Sequence, residues 1–346
     1  MIVFAGGQIP TTGPISPATF ATPLIPPASQ AKVILPLHMY IGEDEVRKHL
    51  TYKALIPAIR QALIDYTAGL VEQPPRIILR AGNAEGAKNG WFAVMPVIAG
   101  DVMGVKTVTF YPGNASLGVP THLAMVELLR RSTGEPLAVM NGRLITEMRT
   151  AAVSAVAFAA LAPLHFEVRP VSLGILGSGV QARAHLEAFH EVWPELKQVR
   201  VWSPTSAHAQ RLADEAGAQA VSIEEAAGSE VVLTATSATE PVLKGCWLGP
   251  RALVLAVGAT GATVRELDDE VMQTSFVVAE SRSSVKRESG DVRFSGAEVE
   301  AEIGEVLNGT RQSSIPRDRR VLFKSVGMAI EDLTAARLVW QARSGS

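Results

Sequence analysis

The sequence predicts an α/β protein: a doubly wound domain built on a parallel sheet, preceded by a separate α+β domain. Three observations carry this. From Thr146 onward, strand-like and helix-like segments alternate, and the strands are short, nearly continuous apolar runs. That pattern belongs to a parallel sheet covered on both faces. Before Thr146, apolar runs are separated by turn residues, which reads as mostly antiparallel pairing. Finally, Gly177-Ser178-Gly179-Val180-Gln181-Ala182 joins the first strand of the second half to its first helix.

The elements follow in order. Globular sequence begins near Met39, and residues 43–50 form a short, acidic-started helix. Leu55, Ile59, Ala62, Leu63 and Tyr66 recur at helical spacing, and Gly69 ends that helix. Strands are expected over 76–80, 91–98 and 102–111, punctuated by glycines, Asn83 and Asn89. Residues 123–131 read as a helix, and 136–140 as a strand entering a hairpin at Asn141-Gly142. An Ala-rich helix over 146–161 bridges into the second half. There, strands are expected at 172–176, 199–202, 218–221, 230–235, 252–257 and 276–279, with helices at 180–192 and 207–216. Six such strands fit the order 3-2-1-4-5-6. A last helix over 326–342 lies beyond the sheet and is expected to return to the first domain. The predicted division is an extension (1–38), an α+β domain (39–146 plus 326–346) and a doubly wound domain (147–325).

Composition narrows the function. Lys and Arg number 32 against 34 Asp and Glu, a net charge of −2, so no basic stripe favours nucleic acid or an anionic membrane. No apolar run approaches the roughly 20 residues of a bilayer span. The first 36 residues hold seven prolines and one charge, Lys32, and lack the cationic start of a signal peptide. They read as a flexible or surface-draped extension, and a cytoplasmic location is expected. The single cysteine, Cys246, sits in an apolar stretch and reads as a buried thiol.

The G-x-G-x-x-A pattern is weak alone, but here it follows a strand and opens a helix, as dinucleotide binding in a Rossmann domain requires. Gly177 permits the tight turn, Gly179 lets the backbone approach a pyrophosphate, and Ala182 keeps helix and strand close. The free N–H groups at the helix start, from Val180 and Gln181, favour phosphate. The turn after the second strand is Trp202-Ser203-Pro204-Thr205-Ser206. It has no carboxylate to repel a 2′-phosphate, and Ser203, Thr205 and Ser206 offer hydroxyls. This favours NADPH, with NADH as the alternative. No Arg occupies the turn; Arg211 lies one to two helical turns on.

Three basic residues are candidates for holding a substrate anion. Arg binds a carboxylate with two parallel hydrogen bonds. A lone Arg on a helix is ordinarily a solvated charge, but Arg149 is flanked by small residues beside the second domain and can face a cleft. Arg76 reads equally well as a surface charge. Lys106 lies in an otherwise apolar strand, so its ammonium needs a cleft, a partner or a substrate; hydrogen bonding and proton transfer are both open to it. The seven histidines lack metal-binding spacing and read as surface or hydrogen-bonded groups. No metal is implied.

Several stretches together resemble the ornithine cyclodeaminase/mu-crystallin family. They are Gln73-Pro74-Pro75-Arg76, residues 105–111, residues 145–152, the glycine loop, Ala256-Val257-Gly258-Ala259 with residues 265–270, Glu288-Ser289-Gly290-Asp291-Val292, and Phe323-Lys324-Ser325-Val326-Gly327-Met328-Ala329. They span residues 39–342 in order, and the chain is most similar to the family's mu-crystallin branch of ketimine reductases. The resemblance implies NAD(P)H-dependent reduction of cyclic imine-2-carboxylates, of the piperideine-2-carboxylate or pyrroline-2-carboxylate type, to cyclic L-amino acids. It implies Arg76, Lys106, Arg149 and Met95 at the substrate and Thr236, Val257, Gly258, Ser325 and Gly327 at the cofactor, in a homodimer paired through the first domain. Thr260 stands where the cyclodeaminases and related alanine dehydrogenases carry an acid–base Asp. A threonine hydroxyl cannot cycle between acid and base near neutral pH, which argues against ornithine cyclodeaminase or amino-acid dehydrogenase activity. Leu255 replaces the family's usual Asn, and the ribose turn lacks the Arg of the mu-crystallin branch. A binding protein that holds NADPH and a small carboxylated ligand with little turnover is the reading from another class.

Overall fold

The computed structural model describes residues 39–82 and 90–345. The expected extension and the turn residues Asn83 and Asn89 lie outside the described residues. Two sheets organise the rest, one of seven strands and one of eight.

The first sheet belongs to the first half of the chain. Strand β1 (Tyr40–Ile41) leads into α1 (Glu43–His49), whose acidic first turn and basic last turn complement the helix dipole. Helix α2 (Tyr52–Thr67) buries Leu55, Ile59, Ala62 and Leu63, the positions expected from helical spacing. Strands β2 (Val71–Glu72), β3 (Ile77–Arg80), β4 (Trp91–Ala99) and β5 (Val102–Phe110) follow, then β6 (His122–Arg130) and β7 (Pro136–Asn141). All pair antiparallel except β1 on β7.

Strand β6 corrects the helix expected over 123–131. Ala124, Val126 and Leu128 point inward and Leu123 and Met125 outward, a period of two. The run Leu-Ala-Met-Val-Glu-Leu-Leu suits either period, and pairing with β5 decides it. The hairpin at Asn141-Gly142 is absent as well. Gly142 precedes α3 (Arg143–His165), and its N–H donates to Ala124 O. A Cβ at Gly142 would lie 3.0 Å from Ala124, so glycine is needed there for close approach to β6.

Helix α3 packs between α2 and the next helix, α4 (Val180–Val192). It is long and apolar enough to cross a membrane, contrary to the sequence expectation, but two-thirds of that window is buried inside the protein. Phe158 on α3 stacks on Trp193 with ring centroids 4.3 Å apart, a contact that contributes about 0.5–1.5 kcal/mol beyond area burial.

The second sheet is fully parallel. Its strands are β8 (Ser172–Leu176), β9 (Gln198–Trp202), β10 (Gln219–Ala220), β11 (Val231–Thr234), β12 (Leu253–Ala256), β13 (Phe276–Ala279), β14 (Ala301–Glu302) and β15 (Val321–Lys324). The order is β10-β9-β8-β11-β12-β15-β13-β14. The six expected strands keep their relative order, but β15 inserts between the fifth and sixth. Its four residues end in a lysine and follow a charged run, so no apolar periodicity marks them. Helix α5 (Ser206–Ala216) follows β9 and ends at Gly217 in the left-handed region. The last helix, α11 after the short helices α6 (Ile223–Ala227), α7 (Asp269–Thr274), α8 (Arg282–Glu288), α9 (Gly290–Ser295) and α10 (Ile303–Leu307), spans Ala329–Ser344. The expected start at 326 is instead a loop. Helix α11 packs on β4, β5 and β6 of the first sheet. Cys246 is exposed, because its apolar neighbours belong to a short surface turn, Gly245–Trp247.

His165 and His185 are buried and hydrogen-bonded. His185 Nδ1 lies 2.7 Å from Gln181 O and must donate to it, so Nε2 accepts from the Ser154 hydroxyl at 2.9 Å. That is the neutral ring, and burial pushes its pKa down to about 4. An unfolded histidine titrates near 6.5, so this stability is complete above about pH 6.5 and is lost as pH falls toward 4. Thermal melts should therefore drop between those pH values. His185→Gln should melt lower at pH 7 and show a shallower acid dependence; an unchanged slope would remove His185 as a cause.

Candidate active site

The carboxyl ends of the parallel strands gather the glycine loop, the residues after β12 and the residues after β15. Gly177 has φ +123°, and a Cβ there would sit 2.5 Å from Ala235 O, so glycine is required twice over. Nothing lies within 4 Å of a Cβ built on Gly179, so the loop's outer face is open to a ligand. Ala182 is fully buried against the sheet. Val180 and Gln181 open α4, whose N-cap Gly179 supplies no side-chain cap. Ser178 Oγ donates to Ser203 Oγ at 3.0 Å, tying the glycine loop to the turn after β9. Thr205 and Ser206 stand exposed at the start of α5. The loop, the uncapped helix start and the hydroxyls fit a dinucleotide.

A buried carboxylate unnoticed in the sequence shapes the neighbouring shelf. Glu266 accepts from Thr234 Oγ1, Thr236 N, Thr236 Oγ1, Gly258 N and Ala259 N, at 2.7–3.0 Å. It joins the ends of β11 and β12. A Cβ on Gly258 would lie 2.3 Å from Glu266 Oε1, so glycine makes room for this carboxylate. The N–H of Gly258 and the hydroxyl of Thr236 are thus committed to Glu266, while Val257 is buried beside them. Asp291 Oδ1 in turn accepts from the N–H groups of Glu266 and Leu267 and pairs through Oδ2 with fully buried Lys324 at 2.7 Å. Glu280, at the end of β13, accepts from Ser325 Oγ, Val326 N and Gly327 N.

The three sequence-selected cations meet beside Gly327. Arg149 (α3) donates from Nη1 to Glu331 Oε2 at 2.5 Å and from Nε to Asp332 Oδ1 at 3.2 Å. Lys106 (β5) reaches the same Asp332 Oδ1 at 2.9 Å. Arg76 donates from Nη2 to the carbonyls of Val326 and Gly327 and pairs through Nε with Glu288 at 2.7 Å. Gly327 has φ +81°, and a Cβ there would lie 2.6 Å from Arg149 Nη1, so the guanidinium rests on bare backbone. Met95 sits opposite Lys106 in the β4–β5 register. Arg76, Met95, Gly327, Ser284, Arg287 and Glu288 line a cleft at this point. Thr260 is exposed on the loop after β12.

The electrostatics follow from burial. Lys106 is pushed down to about 8 by burial, which Asp332 opposes and Arg149 reinforces. Burial also works to raise Asp332, but the charges of Arg149 and Lys106 hold it below the usual range. Glu331 is pushed well above the usual range by burial and the nearby Glu280. Burial lowers Arg149, yet Asp332 and Glu331 more than restore it and raise it overall. His122 falls to about 4 through burial, Lys106 and Arg149. Glu331 and Asp332 were missed because carboxylates in a helix's first turn read as dipole partners; their signal was two charges among the apolar residues 326–333. Among the described residues no cluster suits a metal ion.

A family model for the ornithine cyclodeaminase/mu-crystallin family matches residues 38–346. The chain is 41% identical over 315 residues to the ketimine reductase mu-crystallin of Mus musculus, covering 88% of this chain and 97% of that protein. It is similar in structure to the Δ1-pyrroline-2-carboxylate reductase of Thermococcus litoralis in complex with NADH and L-proline, with TM-score 0.82 and 32% identity over 89% of this chain and 98% of that one. An archaeal alanine dehydrogenase dimer with bound NAD also has TM-score 0.82, at 27% identity over 89% of this chain and 96% of that one.

The carboxylate shelf yields a test. Glu266→Ala strands several donors, each costing about 1–3 kcal/mol if left buried and unpaired. It should lower the melting temperature by several degrees and weaken dinucleotide binding about tenfold or more in a fluorescence titration. Unaltered dinucleotide affinity would mean that the shelf does not meet the cofactor.

Proposed function

Since this chain belongs to the ornithine cyclodeaminase/mu-crystallin family, we propose that it is an NAD(P)H-dependent ketimine reductase acting on cyclic imine-2-carboxylates. The observation that carries this reading is the meeting of Arg149, Lys106 and Arg76 beside Gly327, next to a dinucleotide-shaped loop. Such a cluster suits one small carboxylate, and the names of the mouse and Thermococcus relatives support the substrate class.

In this reading the bound dinucleotide, held by the glycine loop and by the residues after β11, β12 and β15, supplies the hydride. The chain's own residues do the rest. Arg149 spends Nε and Nη1 on Asp332 and Glu331, and Arg76 spends Nε and Nη2 on Glu288 and backbone carbonyls. The terminal nitrogen remaining on each, with Lys106, grips the substrate carboxylate. Held so, the ring presents its imine carbon in one orientation, which contributes more than any proton transfer because a protonated imine is already electrophilic. Met95 packs on the ring. Thr260, whose hydroxyl cannot cycle between acid and base near neutral pH, disfavours cyclodeamination of ornithine.

NADPH is the proposed cofactor. Ser203, Thr205 and Ser206 offer hydroxyls, and the cation missing from the turn is supplied from α4. Arg183 Nη1 donates to Ser178 O at 3.0 Å, beside the Ser178–Ser203 contact. We read residues 39–146 plus 326–346 as the substrate-binding and dimerisation domain and 147–325 as the Rossmann domain. Two cross-strand rows, Ile77–Val94–Thr107–Met125 and Leu79–Phe92–Thr109–Leu123, run across one face of β3 to β6. Ile77, Leu79, Leu123 and Met125 are exposed there, which supports a homodimer through this face. A cytoplasmic location suits a chain with one cysteine.

Steady-state assays with Δ1-piperideine-2-carboxylate and Δ1-pyrroline-2-carboxylate test the reading. Turnover with NADPH is expected, with no ammonia released from L-ornithine and NAD⁺; proline and ammonia at enzymatic rates would sink it. Arg149→Ala should bind dinucleotide nearly as wild type but lose roughly tenfold to more than a hundredfold in kcat/KM, the worth of a charge-assisted hydrogen bond of about 1.5–3 kcal/mol. For the cofactor, Arg183→Ala should weaken NADPH about tenfold and NADH little. Equal losses for both would place Arg183 at the pyrophosphate instead.

A further inference from the structure

Two bases from distant parts of the chain share a single carboxylate oxygen. Asp332 Oδ1 lies 2.9 Å from Lys106 Nζ and 3.2 Å from Arg149 Nε. Lys106 comes from β5, Arg149 from α3 and Asp332 from the first turn of α11. The side chains of Lys106 and Asp332 are 2% and 1% exposed, so water does not screen the contact. The other oxygen, Asp332 Oδ2, is buried with no hydrogen-bond partner among the described residues. A carboxylate oxygen left unpaired in a dry site is costly, and such a cost is retained where the group's position matters.

We propose that Asp332 is the positioning residue of the substrate site: by holding Lys106 and Arg149 on one oxygen, it aims their remaining donors at one substrate carboxylate and keeps the Lys106 ammonium charged. This rests on the reading that these cations bind a substrate carboxylate. Asp332 acts through Lys106 and Arg149 and need not touch substrate.

The charged and titratable groups around Lys106 are few. Asp332 faces it from α11, Arg149 from α3, Arg76 from the segment between β2 and β3, and His122 from β6. Its direct cross-strand neighbours, Met95 and Val126, are uncharged. Arg149 and Arg76 repel the ammonium, and Asp332 is the carboxylate that touches it. With Asp332 in place, Lys106 titrates near 8. Without that charge, burial and the two guanidiniums act unopposed, and the value falls further. The lysine is then neutral at physiological pH and no longer holds an anion. His122, at about 4, is uncharged throughout the range that matters.

The test measures binding of L-proline, a cyclic amino acid with the right carboxylate, to the NADPH-loaded enzyme by calorimetry from pH 6 to 10. Wild-type affinity should hold at low pH and decline above about 8. In Asp332→Asn the decline should begin about two pH units lower, and affinity at pH 7 should fall about tenfold, while NADPH affinity and melting show the fold intact. Asp332→Glu should restore part of the shift. An unmoved alkaline limb in folded Asp332→Asn overturns the proposal, as does a loss of NADPH affinity equal to that of proline. Should Asp332→Asn not fold, Lys106→Met decides: the alkaline limb must vanish, and its persistence overturns the proposal. Proline binding with the expected limb but no imine turnover would refute the enzymatic reading and leave the positioning role standing.

Discussion

A positive charge taken out of water must be matched before the chain can close around it. Lys106 and Arg149 are both nearly fully buried, and an unmatched ion in such a place costs several kcal/mol. Asp332 supplies the matching charge and Glu331 a hydrogen-bond acceptor, and both sit on α11. The helix must therefore return from the second half to lie on β4, β5 and β6, as it does. Gly104 shows how tight the return is, since a Cβ there would come within 2.9 Å of Leu333. The first sheet, α3 and α11 thus meet around two matched cations.

The same logic runs through the parallel sheet with the signs exchanged. Glu266, Glu280 and Asp291 are fully buried carboxylates, and each collects backbone N–H groups from the ends of strands or the loops beyond them. Only Asp291 pairs directly with a cation, Lys324. Backbone N–H groups point in fixed directions, so a carboxylate that binds several of them sets the relative position of their segments. Loops that would otherwise be mobile become a rigid floor beside the glycine loop.

Much of this was legible in the sequence, and the failures have physical causes. Alternating apolar strands and helices marked the parallel sheet, because strands buried on both faces have no polar positions to confuse with turns. The glycine loop was readable because its residue types answer backbone needs. Arg149 and Lys106 were readable as misplaced charges, whereas Arg76 alone read equally well as a surface charge and was singled out by the family resemblance. Strand β6 was misread because its apolar residues satisfy two periods, and only its neighbour β5 selects one. Strand β15 was missed because Lys324 breaks its apolar run, and the burial of that lysine depends on Asp291, 33 positions earlier by subtraction of their residue numbers. The carboxylates that answer the cations were missed for one reason: each looks like an ordinary surface acid until its distant partner is known.

The ion pair between Lys106 and Asp332 also sets a schedule. Its members are 226 positions apart, and Arg149 and Asp332 are 183 apart. At about 5–20 residues per second, a ribosome delivers Asp332 roughly 10–45 seconds after Lys106. Through that interval the lysine has no anion to follow it inward, and the face of the first sheet that α11 covers remains bare. Before the final helix arrives, the first sheet can bury Lys106 only by stripping its proton, so the charged cluster is completed last.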